Sequence, residues 1–150
     1  MEKNYKIIEN FLPKDKFIEL QHLLFSNEFP YFYNKTLNAE HKEGDNSSYF
    51  THTLCEPHLN YTDSNYYSNF VSITNMLDIK ASIRMKVNLY SRTDIIQEHS
   101  SHADYDFEHK GFILSMNTCN GCTILDDGTK IDSIENKALF FDPSKLHHST

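Results

Sequence analysis

The chain has 150 residues, a formal net charge of −7, 39% apolar and 13% aromatic content, with 11 Phe and 9 Tyr. This suits one folded domain with a core and argues against disorder, while 14 Lys and Arg against 21 Asp and Glu disfavour a surface built for nucleic-acid backbones. No apolar run approaches the roughly 20 residues of a bilayer span, the start Met1-Glu2-Lys3-Asn4-Tyr5 has no apolar leader, and three Cys without a secretory context read as reduced thiols in the cytoplasm.

Residues 5–8 form a short strand candidate. Pro13 suits a first helical turn, and Phe17, Leu20 and Leu24 follow at helical spacing, so the pattern predicts a helix over 13–26. Residues 29–33 look extended, the polar stretch 35–48 reads as a surface loop, and 49–54 as a strand. Tyr66, Phe70, Ile73 and Leu77 keep a 4-3-4 spacing, which predicts a second helix over 66–77.

From residue 80 the spacing changes. Ile83, Met85, Val87 and Leu89 alternate with Arg84, Lys86, Asn88 and Tyr90, a period of two. One face is apolar and the other is polar. Strands are expected at 80–90, 94–99, 111–117, 123–126, 130–133 and 137–142, the last ended by Pro143. Asn120-Gly121 and Asp127-Gly128 carry hairpin chemistry. The expected architecture is mainly β with flanking helices. Residues of about 1–79 would form a helical support region and 80–150 a small barrel or jelly roll, all in one domain.

The pattern with the most chemical content is His102-Ala103-Asp104 with His147 near the end of the chain. Two imidazoles and one carboxylate are the donor set of a non-haem Fe(II) centre, which leaves the opposite coordination face open. Residues two apart in an extended segment point to the same side, so one short stretch delivers both His102 and Asp104. The second His must then come from another strand. His147 and His148 point to opposite sides in a strand, so only one of them can join the other two ligands.

The stretches Asn88-Leu89-Tyr90, His102-Ala103-Asp104-Tyr105 and Phe140-Phe141-Asp142 before His147 resemble the 2-oxoglutarate/Fe(II)-dependent dioxygenases. The likeness is to the prolyl-hydroxylase-like branch, and in particular to small oxygenases carried by marine bacteriophages. It covers roughly residues 5–150 and is densest after 80. The resemblance implies a double-stranded β-helix, a kind of jelly roll, with the predicted strands as core strands one to six and His147 opening the seventh. It implies Fe(II) on His102, Asp104 and His147, with 2-oxoglutarate and molecular oxygen as cosubstrates. The activity implied is that of an oxidoreductase, hydroxylating an unidentified substrate with release of succinate and carbon dioxide. Asn88 and Tyr90 would hydrogen-bond the 2-oxoglutarate. The substrate, a small molecule or a protein side chain, would be met by residues 35–48 and 91–101. The compartment would be the cytoplasm, the host's if the gene is phage-borne.

The chain departs from the family at its end. The far carboxylate of the cosubstrate is held in the family by an Arg or Lys on the eighth core strand, beyond the distal His, and the chain stops at Thr150. It therefore reads as a truncated product lacking its last strand and binding 2-oxoglutarate weakly, with Arg84 as the candidate substitute. Other readings stay open. A zinc deaminase would use His102 with Cys119 and Cys122, but needs Glu where Asp104 stands and Pro where Thr118 stands. Cys119-x-x-Cys122 could be a redox pair, which wants a helix N-terminus, or a zinc knuckle, but Asn120-Gly121 between them favours two turn-flanking cysteines without a partner. A non-catalytic jelly-roll module with a vestigial metal site is the remaining alternative.

Overall fold

The computed structural model describes residues 4–35, 48–57 and 64–150. In chain order the elements are β1 (Lys6–Ile8), α1 (Lys14–Leu24), β2 (Phe32–Asn34), β3 (Tyr49–Cys55), a 3-10 turn (Tyr67–Phe70) running into α2 (Val71–Met76), β4 (Met85–Leu89), β5 (Gly111–Leu114), β6 (Cys122–Ile124), β7 (Lys130–Asp132), β8 (Ala138–Phe141) and β9 (His148–Ser149). Among the described residues the strands form three antiparallel sheets, ordered β1-β8-β5, β2-β3-β4 and β7-β6-β9. The chain is mainly β with two short helices, as the change of spacing at residue 80 implies. The first 79 residues are more than a helical support, however. They supply β1 to one sheet and β2 and β3 to another.

Helix α1 buries Phe17, Leu20 and Leu24, the stripe set by their 3-4 spacing. Pro13 sits one place earlier than expected, as the N-cap, with an extended ψ of 139° and its carbonyl accepting from the Phe17 amide. The second helix is shorter than 66–77 and split. Its α-helical part reads Val-Ser-Ile-Thr-Asn-Met. β-Branched residues lose side-chain freedom in a helix, and the Thr74 hydroxyl donates to the Val71 carbonyl, a local alternative to helix bonding. Asp78, at φ 49°, then turns the chain out of the helix.

The main core gathers Leu12, Phe17, Leu20, Leu24, Phe29, Leu54, Phe70 and Ile73, with Met85 and Val87 of β4 and Phe112 and Leu114 of β5 packed on it. Removing those apolar surfaces from water is the main favourable term, and it fixes which face of β4 looks inward. A smaller cluster joins Leu125, Ile131 and Leu139. Asn136 ties the N-terminal segment to the turn before β8. Its side chain accepts from the Leu12 amide and donates to the Leu12 carbonyl, both at 2.9 Å, and its own carbonyl accepts from Phe11 at 2.9 Å.

Three sequence expectations are corrected. Residues 94–99, expected as the second core strand, are not a strand. The chain bends at residues 94 and 95, and Ile95 and Ile96 are left exposed. Asn120-Gly121 does not close a hairpin, since β5 and β6 lie in different sheets. That segment instead prolongs the β6–β7 ladder: the Cys119 amide donates to the Ser133 carbonyl, and the Ser133 amide to that of Gly121. The strands within 80–90 and 111–117 form, but are shorter, at Met85–Leu89 and Gly111–Leu114. Asp127-Gly128 does turn β6 into β7, with Gly128 at φ 80° and the Asp127 carboxylate accepting from the Thr129 amide. The loop expected over 35–48 falls almost wholly outside the described residues.

Asn136 offers a direct test of the packing. Asn136→Ala orphans the amide and carbonyl of Leu12, a residue only 2% exposed. Each lost buried partner costs about 1–3 kcal/mol, so urea denaturation should show a loss of at least about 2 kcal/mol. Asn136 also sits at φ 57°. Asn136→Gly, free of left-handed strain, should therefore lose about 1 kcal/mol less than the Ala variant.

Candidate metal centre

After β4 the chain runs without regular structure to His102, where it meets the segment leading into β9. The His102 amide donates to the His147 carbonyl at 3.0 Å, and the His147 amide donates back to that of His102 at 2.9 Å. Two residues that exchange both backbone bonds lie directly opposite in an antiparallel pair and project their side chains to the same side. Asp104, two residues on, returns to that side. Its amide donates to the Pro143 carbonyl at 2.9 Å. The three side chains converge: one ligand atom from each of His102, Asp104 and His147 lies within 4.8 Å of the others.

Pro143 is itself held by Gly111. A Cβ at Gly111 would meet the proline ring at 2.8 Å, so β5 and the Pro143 turn approach closely only because that position has no side chain. The turn is fixed further by Asp142, whose carboxylate accepts from the Ser144 amide at 3.0 Å and from its hydroxyl.

Each of the two histidines has a backbone carbonyl at its Nδ1. His147 is buried, with Nδ1 at 3.0 Å from the Lys145 carbonyl and Phe141 edge-on to its ring at 5.0 Å. Nδ1 of His102 faces the Ser100 carbonyl at 3.4 Å. A carbonyl only accepts, so each Nδ1 carries a proton, and in the neutral ring Nε2 is then the atom with the lone pair a metal needs. Nε2 of His102 is 3.8 Å from Oδ1 of Asp104. Burial and, next, the facing His147 push the His102 pKa below its ordinary value, against the pull of the Ser100 carbonyl and Asp104.

Asp104 has a further partner. Nη2 of Arg84 lies 2.9 Å from its Oδ1, with both side chains about three-quarters buried, and the guanidinium sits 5.4 Å from the centre of the Tyr105 ring. Arg84 is therefore engaged by a candidate ligand. Lys86, next on the polar face of β4, shares its surroundings: burial around the ammonium lowers its pKa, Arg84 adds to that, and Asp104 and Glu56 oppose it. The residue as a whole nevertheless keeps solvent contact.

Asn88 and Tyr90 lie further along that face. The Asn88 amide reaches the Tyr90 hydroxyl at 3.5 Å, and the Asn88 carbonyl accepts from the Thr51 hydroxyl at 3.0 Å. Tyr90 stacks between Tyr49 and His99. Burial raises its pKa, while bonds to Ser149 and Asn88 work the other way.

The structure separates the remaining candidates. His148 turns away from the cluster, its Nε2 at 3.1 Å from Oε1 of Glu98. Among the described residues His102, Asp104 and His147 make up the one group of three or more such side chains, and neither Cys119 nor Cys122 joins His102 in a zinc arrangement. The Cys122 sulfur instead accepts from the Thr150 hydroxyl at 3.8 Å. His52, buried elsewhere, holds the fold together, its ring nitrogens 2.7 Å from the Pro30 carbonyl and from the Ser64 hydroxyl. Sequence reasoning missed the tie between Arg84 and Asp104 and the place of Lys86. The period of two in β4 puts both cations on one face, but gives no sign of what that face meets. No known protein family matches the chain, and no curated protein matches it.

The lowered His102 pKa sets a pH dependence. In the metal-free protein the unfolded chain takes up a proton near pH 6.5 while the folded imidazole resists it. The unfolded state then binds more protons, so stability rises with pH across that window and is lost as pH falls below 6.5. Denaturation midpoints measured between about pH 5 and pH 7 should show this slope reduced in His102→Gln.

Proposed function

We propose that the protein is an Fe(II)- and 2-oxoglutarate-dependent oxygenase of the hydroxylase type, with its strands arranged as a jelly-roll core. One observation carries the reading: two histidines with protonated Nδ1 and one carboxylate converge, with their ligand atoms within 4.8 Å. This donor set fits iron, since two imidazoles and one carboxylate on one face suit a non-haem Fe(II) centre with positions left for exchangeable ligands. Bound there, iron would couple decarboxylation of 2-oxoglutarate to succinate and carbon dioxide with oxygen insertion into a substrate C–H bond.

The chain's own residues bind and orient. His102, Asp104 and His147 hold the ion. Phe141 packs on His147 and limits water access to its ring. The charge balance favours an anionic ligand. Asp104 is neutralised by Arg84, and a divalent ion beside Lys86 leaves an excess of positive charge on this face. Lys86 then holds the far carboxylate of the cosubstrate, a role for which Arg84 is no longer available, and Asn88 and Tyr90 line the same face. The family's Arg or Lys beyond the distal His is not needed for this arrangement.

The test is anaerobic titration of the chain with Fe(II) and 2-oxoglutarate, followed by the visible charge-transfer band of an iron-chelated keto acid, then succinate production in air. Asp104→Ala should abolish both. Iron binding with no 2-oxoglutarate band would point to the non-catalytic metal-binding module instead. Lys86→Ala should raise the 2-oxoglutarate Kd about tenfold, the loss of one hydrogen bond to a charged group, and leave the metal Kd unchanged. An unchanged 2-oxoglutarate Kd in that variant removes Lys86 from the site.

A further inference from the structure

From the ion pair beside the cluster we infer that Arg84 is a positioning residue: it holds Oδ1 of Asp104 on the side of the histidines, where a metal would meet it. The inference rests on reading His102, Asp104 and His147 as a metal centre. Nη2 of Arg84 lies 2.9 Å from Oδ1 of Asp104, and Oδ1 is also the oxygen 3.8 Å from Nε2 of His102.

The terminal torsion of an Asp side chain is soft. Left to itself, a carboxylate beside a divalent ion can turn and bind through one oxygen or both. A guanidinium keeps its charge at all pH, and this one lies 2.9 Å from a single oxygen of the carboxylate, so its pull favours the rotamer that turns Oδ1 towards it. Arg84 and His102 both lie against Oδ1, so the pair keeps that oxygen turned to the cluster. Asp104 is the only anionic side chain of the three, so its orientation decides whether an ion meets a charged oxygen beside the two imidazoles.

Arg84 is itself held on two sides. Its charge lies over the Tyr105 ring, 5.4 Å from the centroid, an attraction of the ring face for a cation. Its backbone directly precedes β4, whose Met85 and Val87 are packed into the main core. The Asp104 backbone is fixed independently by the Pro143 carbonyl. Both partners of the ion pair are thus anchored from outside it, and the pair orients the carboxylate rather than merely closing a surface gap. A cation here also repels an incoming metal ion. The sign of the change in metal affinity when Arg84 is removed therefore separates orientation from repulsion.

The experiment uses the full chain and cobalt(II) as probe, with affinity from titration and coordination from the visible spectrum, neither of which needs turnover. Arg84→Ala should weaken cobalt binding about 10- to 100-fold, the usual effect of removing a group that orients a metal ligand, and change the cobalt spectrum as Asp104 turns. Arg84→Lys returns a donor to the carboxylate and should recover part of the affinity. Tyr105→Leu leaves Arg84 in place without its ring and should lose a smaller part; it carries the test should the Ala variant not fold. Cobalt binding as tight as, or tighter than, wild type in Arg84→Ala with an unchanged spectrum overturns the inference and leaves the guanidinium as a charge that only opposes the metal. If the wild-type chain binds no cobalt in a way that Asp104→Ala abolishes, the metal centre itself is wrong and the inference falls with it.

Discussion

The site depends on one backbone pairing. His102 and His147 exchange amide–carbonyl bonds of 3.0 and 2.9 Å across an otherwise irregular part of the chain. Neither lies within a strand, and the bridge between them is isolated from the ladders on either side. That single pairing puts the imidazoles on one side with ring centres 4.7 Å apart. It also places the Ser100 and Lys145 carbonyls, each two residues before its histidine, where they fix the Nδ1 protons. Chelating side chains are thereby set by main-chain geometry, which costs less conformational freedom than aiming three long side chains would.

The rest of the fold brings those two segments together. The core formed by α1, Leu54, Phe70 and Ile73 receives Met85 and Val87, and this fixes the outward face of β4. β8 sits between β1 and β5, so the turn at Pro143 that receives the Asp104 amide is supported by a central strand. Gly111 in β5 permits the close approach of that turn. Asn136 anchors the start of the same β8 to the N-terminal segment. A loop carrying a ligand is thus held by strands that have their own hydrophobic reasons for being where they are.

Electrostatically the site runs against the chain as a whole. The protein carries a net charge of −7, yet Arg84, directly before β4, and Lys86 within it lie two residues apart, and Arg84 disfavours the charge on Lys86. Asp104 offsets the first of them at 2.9 Å. Like charges at alternate positions of a strand destabilise it unless something of opposite sign lies across from them. Asp104 and Glu56 supply that in the protein alone, and an anionic ligand would supply more.

Much was legible in the sequence because it rests on local rules. The helical stripe of Phe17, Leu20 and Leu24, the alternation in β4, the Asp127-Gly128 turn and the x spacing of His102 and Asp104 each follow from periodicity or backbone preference. Alternation sets His147 and His148 to opposite sides, but the choice of His147 came from the resemblance, whose pattern places the distal His six residues after Phe141. Tertiary structure alone decided the rest. Ile95 and Ile96 resemble a strand until nothing packs on them, and Asn120-Gly121 resembles a hairpin until its flanking strands enter different sheets. The pairing of Arg84 with Asp104 joins positions whose sequence spacing carries no period. Local preference depends on neighbours in the chain, whereas these features depend on which surfaces the packed core left facing one another.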